Sequence, residues 1–533
     1  MPRRIRPSLA ALLLLSACRS PQAWSHQADE EVYPILTAER AALGATDEFT
    51  LARAQPTLRD ELVAQARGRP LELDLVACLQ VAAENSRDWQ DQRELLFRSA
   101  LDLTLARWNF AVQEQGTLGV FLSGSGSAAD QQGFTSNLNL FRLLGLGTSL
   151  SLDAGIDLVR SVGRGEAWDA ISHFTLNITQ PILRGFGAEI VREPLTQAER
   201  DVLYQARAYE RFRRTFAFDV AQRFFRTLER VDRLANEQAN RENLTRLRER
   251  NEALAEAGRL TDIQVDQARQ DEFSAEDRLV TAQRDLEGAL DDLKFTLGLP
   301  IETELTLSAG GQRALGAWPM LEEELPEEEA VRVGLAQRLD HATACDRVVD
   351  AERGVRVAAD ALRLGLDLTG RLDLASEGQA DRLRFDDAVW NLNLDLDLPI
   401  DRIPERNTYR AAEIALAARQ RDLAQSTDQV TSDLRDALRR LEAARASYRI
   451  QSGSVALAER RVESAALNLD AGRASTRDVL EAQESLLSAQ NTAASALTDT
   501  ILAGLSLYRD MELLEVTPRG LEVLPVPQEV AQP

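Results

Sequence analysis

The residues best placed to do chemistry in this chain are two carboxylates. Asp478 and Glu481 stand three residues apart, just after the run Leu469-Asp470-Ala471-Gly472-Arg473-Ala474-Ser475. On a helix that spacing puts both on one face. Like charges that close repel, raise each other's pKa and attract cations. The same spacing also describes an ordinary solvated helix face, so the pair takes its meaning from the turn before it. Nothing catalytic accompanies it. The three histidines, His26, His173 and His341, are scattered, with no metal-ligand spacing. No glycine-rich phosphate loop and no nucleophile elbow is present. The sequence predicts a protein that is not an enzyme and uses no cofactor or metal.

Cysteine points to a different chemistry. The chain opens with Arg3, Arg4 and Arg6, then an apolar run from Leu9 to Leu15, then Ser16-Ala17-Cys18. A basic start, a short apolar core and small residues before a cut site read as an export signal over residues 1–17. The run is too short to span a bilayer. Its Leu-Ser-Ala-Cys ending resembles the bacterial lipobox, in which the cysteine is lipidated and becomes the first mature residue. The alternative is a plain signal peptide with an incidental cysteine. The next residue, Arg19, is not the aspartate that marks retention at the inner membrane. Cys78 and Cys345 fall in helical patterns and read as small buried fillers rather than a disulfide framework. The net charge of −23 becomes about −26 once the three leading arginines are removed. That excess argues against a nucleic-acid partner and is compatible with an acidic conduit.

The elements that position the carboxylates are helical. Gly472 can adopt the positive φ that ends a helix, and Ser475 or Thr476 can cap the next one. An earlier stretch, Ala257-Gly258-Arg259-Leu260-Thr261-Asp262-Ile263-Gln264-Val265, superposes on the later one at an offset of 214 residues, with Thr261 on Ser475 and Val265 on Val479. The chain therefore reads as two copies of a unit built on a helical hairpin. Copy one carries helical patterns over 71–113, 194–257 and 262–297, the last stopped by Gly298-Leu299-Pro300. Along the long helix, Leu234, Leu244, Leu247 and Leu254 form a coiled-coil-like seam with polar interruptions. At roughly 1.5 Å per residue that helix is about 96 Å long. Copy two carries helices over 327–364, 406–470 and 475–514. The two shorter helices of each copy together come close to its long one plus a junction. Prolines 21, 34, 56 and 70 with weak periodicity mark residues 18–70 as an irregular extension.

Between the helices the period changes from 3.6 to 2. Leu150, Leu152, Ala154, Ile156 and Leu158 alternate with serine, aspartate and glycine. Phe174, Leu176 and Ile178 alternate with Thr175, Asn177 and Thr179. Leu118, Val120 and Leu122 form a weaker case. In copy two, Leu366, Leu368, Leu372 and Leu374 face Asp367, Thr369, Arg371 and Asp373, and Trp390 to Leu398 alternate with Asn391, Asn393, Asp395 and Asp397. A soluble sandwich shows the same alternation. Joined to an export signal, it reads as strands with one face to lipid and one to a wet lumen. Four to six strands are too few for a single-chain barrel, and open edges cannot sit in lipid. Several chains must then share one barrel.

Taken together, these features resemble the TolC-like outer-membrane efflux protein family over about residues 71–514. The resemblance is carried by Gln180-Pro181-Ile182-Leu183 and Leu398-Pro399-Ile400 at strand-to-helix corners, by the paired Ala-Gly-Arg turns, and above all by Arg473 to Gln483. It implies a mostly α fold with a membrane β-barrel portion. Two repeats would form a long α-helical coiled-coil barrel (71–113, 187–300, 327–365 and 404–514) and a trimer-shared antiparallel barrel of twelve strands (114–186 and 366–403). Residues 301–326 would link the repeats and 515–533 would be a tail. The implied function is an outer-membrane exit duct for efflux or type I secretion. Its partners would be a periplasmic adaptor (membrane fusion) protein, an inner-membrane pump and outer-membrane lipid. The competing expectation is a non-conducting periplasmic scaffold of coiled-coil hairpins. By the same resemblance Asp478 and Glu481 ring the constriction. Gln264 stands where many relatives have aspartate, with Asp262 two residues away as the acidic alternative. Gly258, Arg259, Leu260, Thr261, Gly472, Arg473, Ala474 and Ser475 would form the periplasmic tips and meet the adaptor. The stretch 133–164 is longer than one hairpin needs and is expected to add an extracellular hairpin.

The lipobox reading predicts that radiolabelled palmitate enters the wild-type protein at Cys18 and that Cys18→Ala abolishes the label. Equal labelling of the two proteins would remove the anchor.

Overall fold

The computed structural model describes residues 19–45, 47, 49–51, 58–66, 70–125, 128–162, 167–308, 325–376, 386, 388–398, 400–517 and 520–527. The export segment, Cys18 and most of the 301–326 linker lie outside them. In chain order the described residues form α1 (Pro21–Ala42), α2 (Leu58–Ala66), β1 (Leu71–Leu73), α3 (Leu75–Asn85) and α4 (Arg87–Trp108). Four strands follow: β2 (Gln113–Ser125), β3 (Ala128–Leu143), β4 (Ser149–Ser161) and β5 (Asp169–Pro181). Short α5 (Ala188–Val191) precedes long α6 (Glu193–Glu256), then α7 (Asp262–Leu297) and β6 (Leu305–Leu307). The second half repeats the plan with α8 (Glu327–Gln337), α9 (Leu339–Asp360), β7 (Gly365–Ser376), β8 (Val389–Asp397), α10 (Ile403–Asp470) and α11 (Thr476–Asp510). Strands β9 (Leu514–Thr517) and β10 (Gly520–Val523) come last.

The duplication is visible in lengths. Helices α3 and α4 have 11 and 22 residues, and so do α8 and α9. Each pair was expected as one helix. Each is instead broken at a single extended residue, Ser86 (φ −63°, ψ 135°) or Arg338 (φ −64°, ψ 118°). The apolar phase runs through Leu75, Leu79, Ala82, Ser86 and Trp89 without a slip, so the periodicity conceals the break.

The chain divides into two compact units. The first comprises residues up to 49, 95–206 and 343–424. It contains a single antiparallel sheet in the order β2-β3-β4-β5-β7-β8. Strand β3 was not anticipated, and it corrects the expectation of an extracellular hairpin over 133–164. It pairs with β4 from Gln131↔Ser161 to Leu143↔Ser149 and with β2 from Gln113↔Phe141 onward. The corner after β5 is tied to β7 and β8. Ile182 N–H donates to the Leu366 carbonyl at 2.8 Å, and Arg184 donates to Asp397 at 2.7 Å. The irregular N-terminal extension is also corrected. Pro21 occupies the first turn of α1, where its missing N–H costs nothing, and Ser20 caps it. Val32, Leu36 and Arg40 recur every four residues on its buried face despite Pro34. Tyr33 stacks edge-on against Phe97 at 5.8 Å. Cys345, expected to be buried, is exposed.

The second unit comprises 50–94, 207–342 and 425–533. Its core gathers α3, α7, α8 and α11 around the parallel pair β1–β6 and the β9–β10 hairpin. Trp89 packs edge-on against Phe212 and Phe216 at 5.9 and 5.4 Å. Cys78 is fully buried there, and burial pushes its thiol up to about 12. Gly298 ends α7 at φ 69°, as its position before Leu299-Pro300 predicts. Beside this core runs a chain of charges. Arg338, at the break between α8 and α9, donates to both Asp340 oxygens (3.1 and 2.8 Å) and to Asp433 (3.0 Å). Arg211 pairs with Asp340 at 3.2 Å and with Glu512, and Arg214 pairs with Glu512 at 3.0 Å. Burial pushes the Asp340 carboxyl up, but the Arg338 hydrogen bonds and the Arg211 charge outweigh it and hold the group below its usual range. Glu512 is buried at φ 60°, the one non-glycine residue with positive φ among the described residues.

Removing one partner of a buried ion pair strands the others. Glu512→Ala is therefore expected to lower the stability of the purified protein by about 3 kcal/mol, read by denaturant unfolding. A loss within error would mean that Arg211 and Arg214 find water instead.

Candidate functional site at the helical turns and the sheet

Both turns lie in the second unit and share one geometry. After α6, Gly258 N–H donates to Ala255 O and Arg259 N–H to Leu254 O, each at 2.8 Å. After α10, Gly472 N–H donates to Leu469 O at 3.0 Å and Arg473 N–H to Asn468 O at 2.8 Å. These are paired six-to-one and five-to-two bonds, closed by glycines at φ 70° in both cases. Helices α7 and α11 then restart with capping boxes on Thr261 and Ser475. Leu260 and Ala474 precede the caps, and Val265 and Val479 are buried one turn on. The turns are drawn together by an ion pair between Arg250 of α6 and Asp470, the last residue of α10.

The capping boxes reassign two candidate residues. The Asp478 carboxylate accepts from the Ser475 N–H and hydroxyl, both at 2.8 Å. Those bonds, the backbone one first, hold its carboxyl below the usual range. Gln264 occupies the equivalent place and accepts from the Thr261 N–H at 3.4 Å. Its type is thus explained by capping, which a neutral amide also performs. Glu481 is exposed and accepts from Arg477 at 3.1 Å, with Arg461 at 4.0 Å on its other oxygen. Asp262 is exposed in the first turn of α7. Gly258, Arg259, Gly472 and Arg473 are exposed, while Leu260, Ala474 and Ser475 are half-buried. A further acidic pair was not anticipated. Asp271 of α7 is pushed up by burial and by the charge of Glu484 on α11. No signal within either helix predicts this approach, because it forms only when α7 packs against α11.

In the first unit, the sheet sorts its side chains by face. One ladder runs Leu140–Leu152–Leu176–Leu372–Trp390 across five strands, and another runs Val120–Phe134–Leu158. The opposite face carries Asp153, Asp157, Asp169, Asp367, Asp373, Asp395 and Asp397, with Arg371 and His173 among them. Thr175 donates to Asp373 at 2.8 Å, and His173 lies 3.2 Å from Asp153. The apolar face is open to its surroundings, with Val120 77% and Trp390 73% exposed. Trp168 and Trp390 stand at the loop ends of β5 and β8, and exposed Trp108 and Phe186 lie in the segments that join the sheet to the helices. An exposed apolar face opposite an acidic one is the pattern of a lipid-facing barrel wall. Among the described residues no helix is long and apolar enough to cross a membrane, and no group of three acidic, histidine or cysteine side chains could hold a metal.

The sequence matches the family described as outer membrane efflux protein over residues 149–299 and 332–510. The chain belongs to that family. Three solved structures resemble this efflux protein. The CmeC outer membrane channel of Campylobacter jejuni aligns with TM-score 0.61 at 16% identity, covering 88% of this chain and 90% of CmeC. VceC of Vibrio cholerae gives 0.59 at 16%, covering 82% and 95%. The MtrE outer membrane channel of Neisseria gonorrhoeae, in its open state, gives 0.59 at 15%, covering 82% and 88%. At such identities the likeness is one of fold. No curated protein sequence matches the chain.

The Asp271–Glu484 approach makes a pH-dependent prediction for this efflux protein. A carboxyl whose folded pKa lies above its unfolded value destabilises the fold at neutral pH, and the penalty is relieved as pH falls through the folded value. Asp271→Asn should therefore unfold at a higher temperature than wild type at pH 7, with the gap closing on acidification. Equal midpoints at pH 7 would mean that neither burial nor the charge of Glu484 penalises the Asp271 carboxylate.

Proposed function

We propose that the protein is the outer-membrane exit duct of a tripartite efflux or type I secretion assembly. Three copies share one barrel, and their helices form a tunnel that meets a periplasmic adaptor and an inner-membrane pump at the two turns. The observation that carries this reading is the sheet: a largely apolar face, an acidic opposite face and two edge strands in one chain. Such a duct does no chemistry. It replaces hydrocarbon along the solute's path with a wet, acidic lumen. Acylation of Cys18 would add an anchor in the inner leaflet of the same membrane.

In this reading Asp478 and Glu481, with Asp262 of the other turn, crowd the narrow end. Their charges attract cations whether or not Asp478 also caps its helix. The double variant Asp478→Asn, Glu481→Gln keeps hydrogen-bond acceptors in place and removes the charge. In planar bilayers the wild-type protein is expected to conduct with cation preference and to be blocked by polyvalent cations from the periplasmic side. The variant should conduct with weaker preference and weaker block. Unchanged selectivity and block would take these carboxylates out of the constriction. Absence of any conductance from the wild type would leave a scaffold rather than a duct.

A further inference from the structure

We infer that the barrel wall contains eighteen strands, six from each of three copies, with β2 of one copy hydrogen-bonded to β8 of the next. The inference rests on the shared-duct reading above and changes its dimensions, because the family resemblance carries twelve strands.

The strands that raise the count are β2 and β3, and both precede the segments that match the family, which begin at residue 149. They are wall rather than loop on three grounds. First, β3 is paired on both sides along its length, with β2 and with β4. Second, the turn between β3 and β4 returns to the end where the helices begin. Leu144 N–H closes it on Thr148 O at 2.8 Å, and Gly187 N–H, beside α5, donates to Leu146 O at 3.3 Å. Gly147 is required there. It sits at φ 98°, and a Cβ would stand 2.6 Å from the Gly185 carbonyl. The hairpin therefore runs the full height of the sheet. Third, β2 and β3 keep the apolar phase of the other strands: Val120 faces Phe134, and Phe134 faces Leu158. A hairpin lying in water would gain nothing from Leu118, Val120 and Leu122 at exposures of 72–77%.

The edges complete the argument. All neighbours in the sheet are antiparallel, and six is even, so β2 and β8 run in opposite directions. An antiparallel bond from β8 to the β2 of another copy continues the same ladder. In hydrocarbon the N–H and C=O groups of both edges need such a partner. Strands about 4.8 Å apart and tilted by about 40° give a backbone diameter of roughly 36 Å for eighteen strands, against roughly 24 Å for twelve. The partner of each edge is thus a second copy of this chain, and the mouth is about half as wide again as a twelve-stranded one.

Cysteine cross-linking of the full-length protein in the outer membrane tests this, in a Cys345→Ser background. One set pairs β2 with β8 (Leu118→Cys, Val120→Cys or Leu122→Cys, each with Leu392→Cys or Leu394→Cys). The other pairs β4 with β8 (Leu150→Cys, Leu152→Cys or Ala154→Cys with the same partners). On oxidation the first set should give a reducible ladder that ends at the trimer, and the second set none. Cross-links in the second set alone would place β2 and β3 outside the wall and restore twelve strands. A first-set ladder ending at the dimer would also mean twelve strands, and would overturn the inference. No intermolecular cross-link from either set, in protein shown to be membrane-inserted, would defeat the shared barrel itself.

Discussion

A backbone amide in hydrocarbon has no water to fall back on, and most of this protein's first unit follows from that. Strands β3, β4, β5 and β7 have neighbours on both sides within the chain, whereas β2 and β8 have one each. A single copy therefore carries two rows of unmet donors and acceptors, each costing several kcal/mol if left in lipid. The side chains obey the same constraint from the other direction. Apolar residues that would cost about 25 cal/mol per Å² in water line one face, and aspartates that lipid would reject line the other. A sheet so divided is suited to the closed wall proposed above.

The second unit solves a different problem, that of a duplicated helical framework needing two fixed breaks. Arg338 is left buried by its extended backbone, and desolvating a guanidinium is expensive. Two carboxylates, Asp340 and Asp433, offset that cost through three hydrogen bonds. Ser86 stands at the matching break in the first copy and is small enough to be buried beside Trp89 without such a network. Equal helix lengths on either side show that the duplication kept the breaks while changing the means of holding them.

What could be read in advance was whatever local chemistry decides. The two turns, the start and stop of α7, and the alternation in β4, β5, β7 and β8 are set by glycine, capping residues and strict period two. Strand β3 escaped because Ser136 interrupts Phe134, Leu138 and Leu140 on its apolar face, so its period is faint until a neighbour fixes the register. Helix α1 escaped because Pro34 reads as a breaker, yet buried Val32 and Leu36 hold the helix through it. Cys345 was misplaced because a small apolar residue in a helical pattern does not declare which face it occupies. At the candidate site, the cap formed by Asp478 was implicit in a serine followed three residues later by a carboxylate. The Asp271–Glu484 approach depends on which helices pack together, and no single segment encodes that.

The duplicated turns carry one last consequence. Their backbones share the paired bonds of one turn type, but their acids are not in the same place: Asp262 stands where the second turn has Thr476, and Asp478 stands where the first has Gln264. In a ring of three copies the six turns would form a hexagon in outline and a triangle in potential, with two sets of negative charge offset by two residues along their helices. In the duct proposed above, a cation arriving at that end would meet negative charge at two heights rather than one. The two tips share one fold and carry their charge at different places.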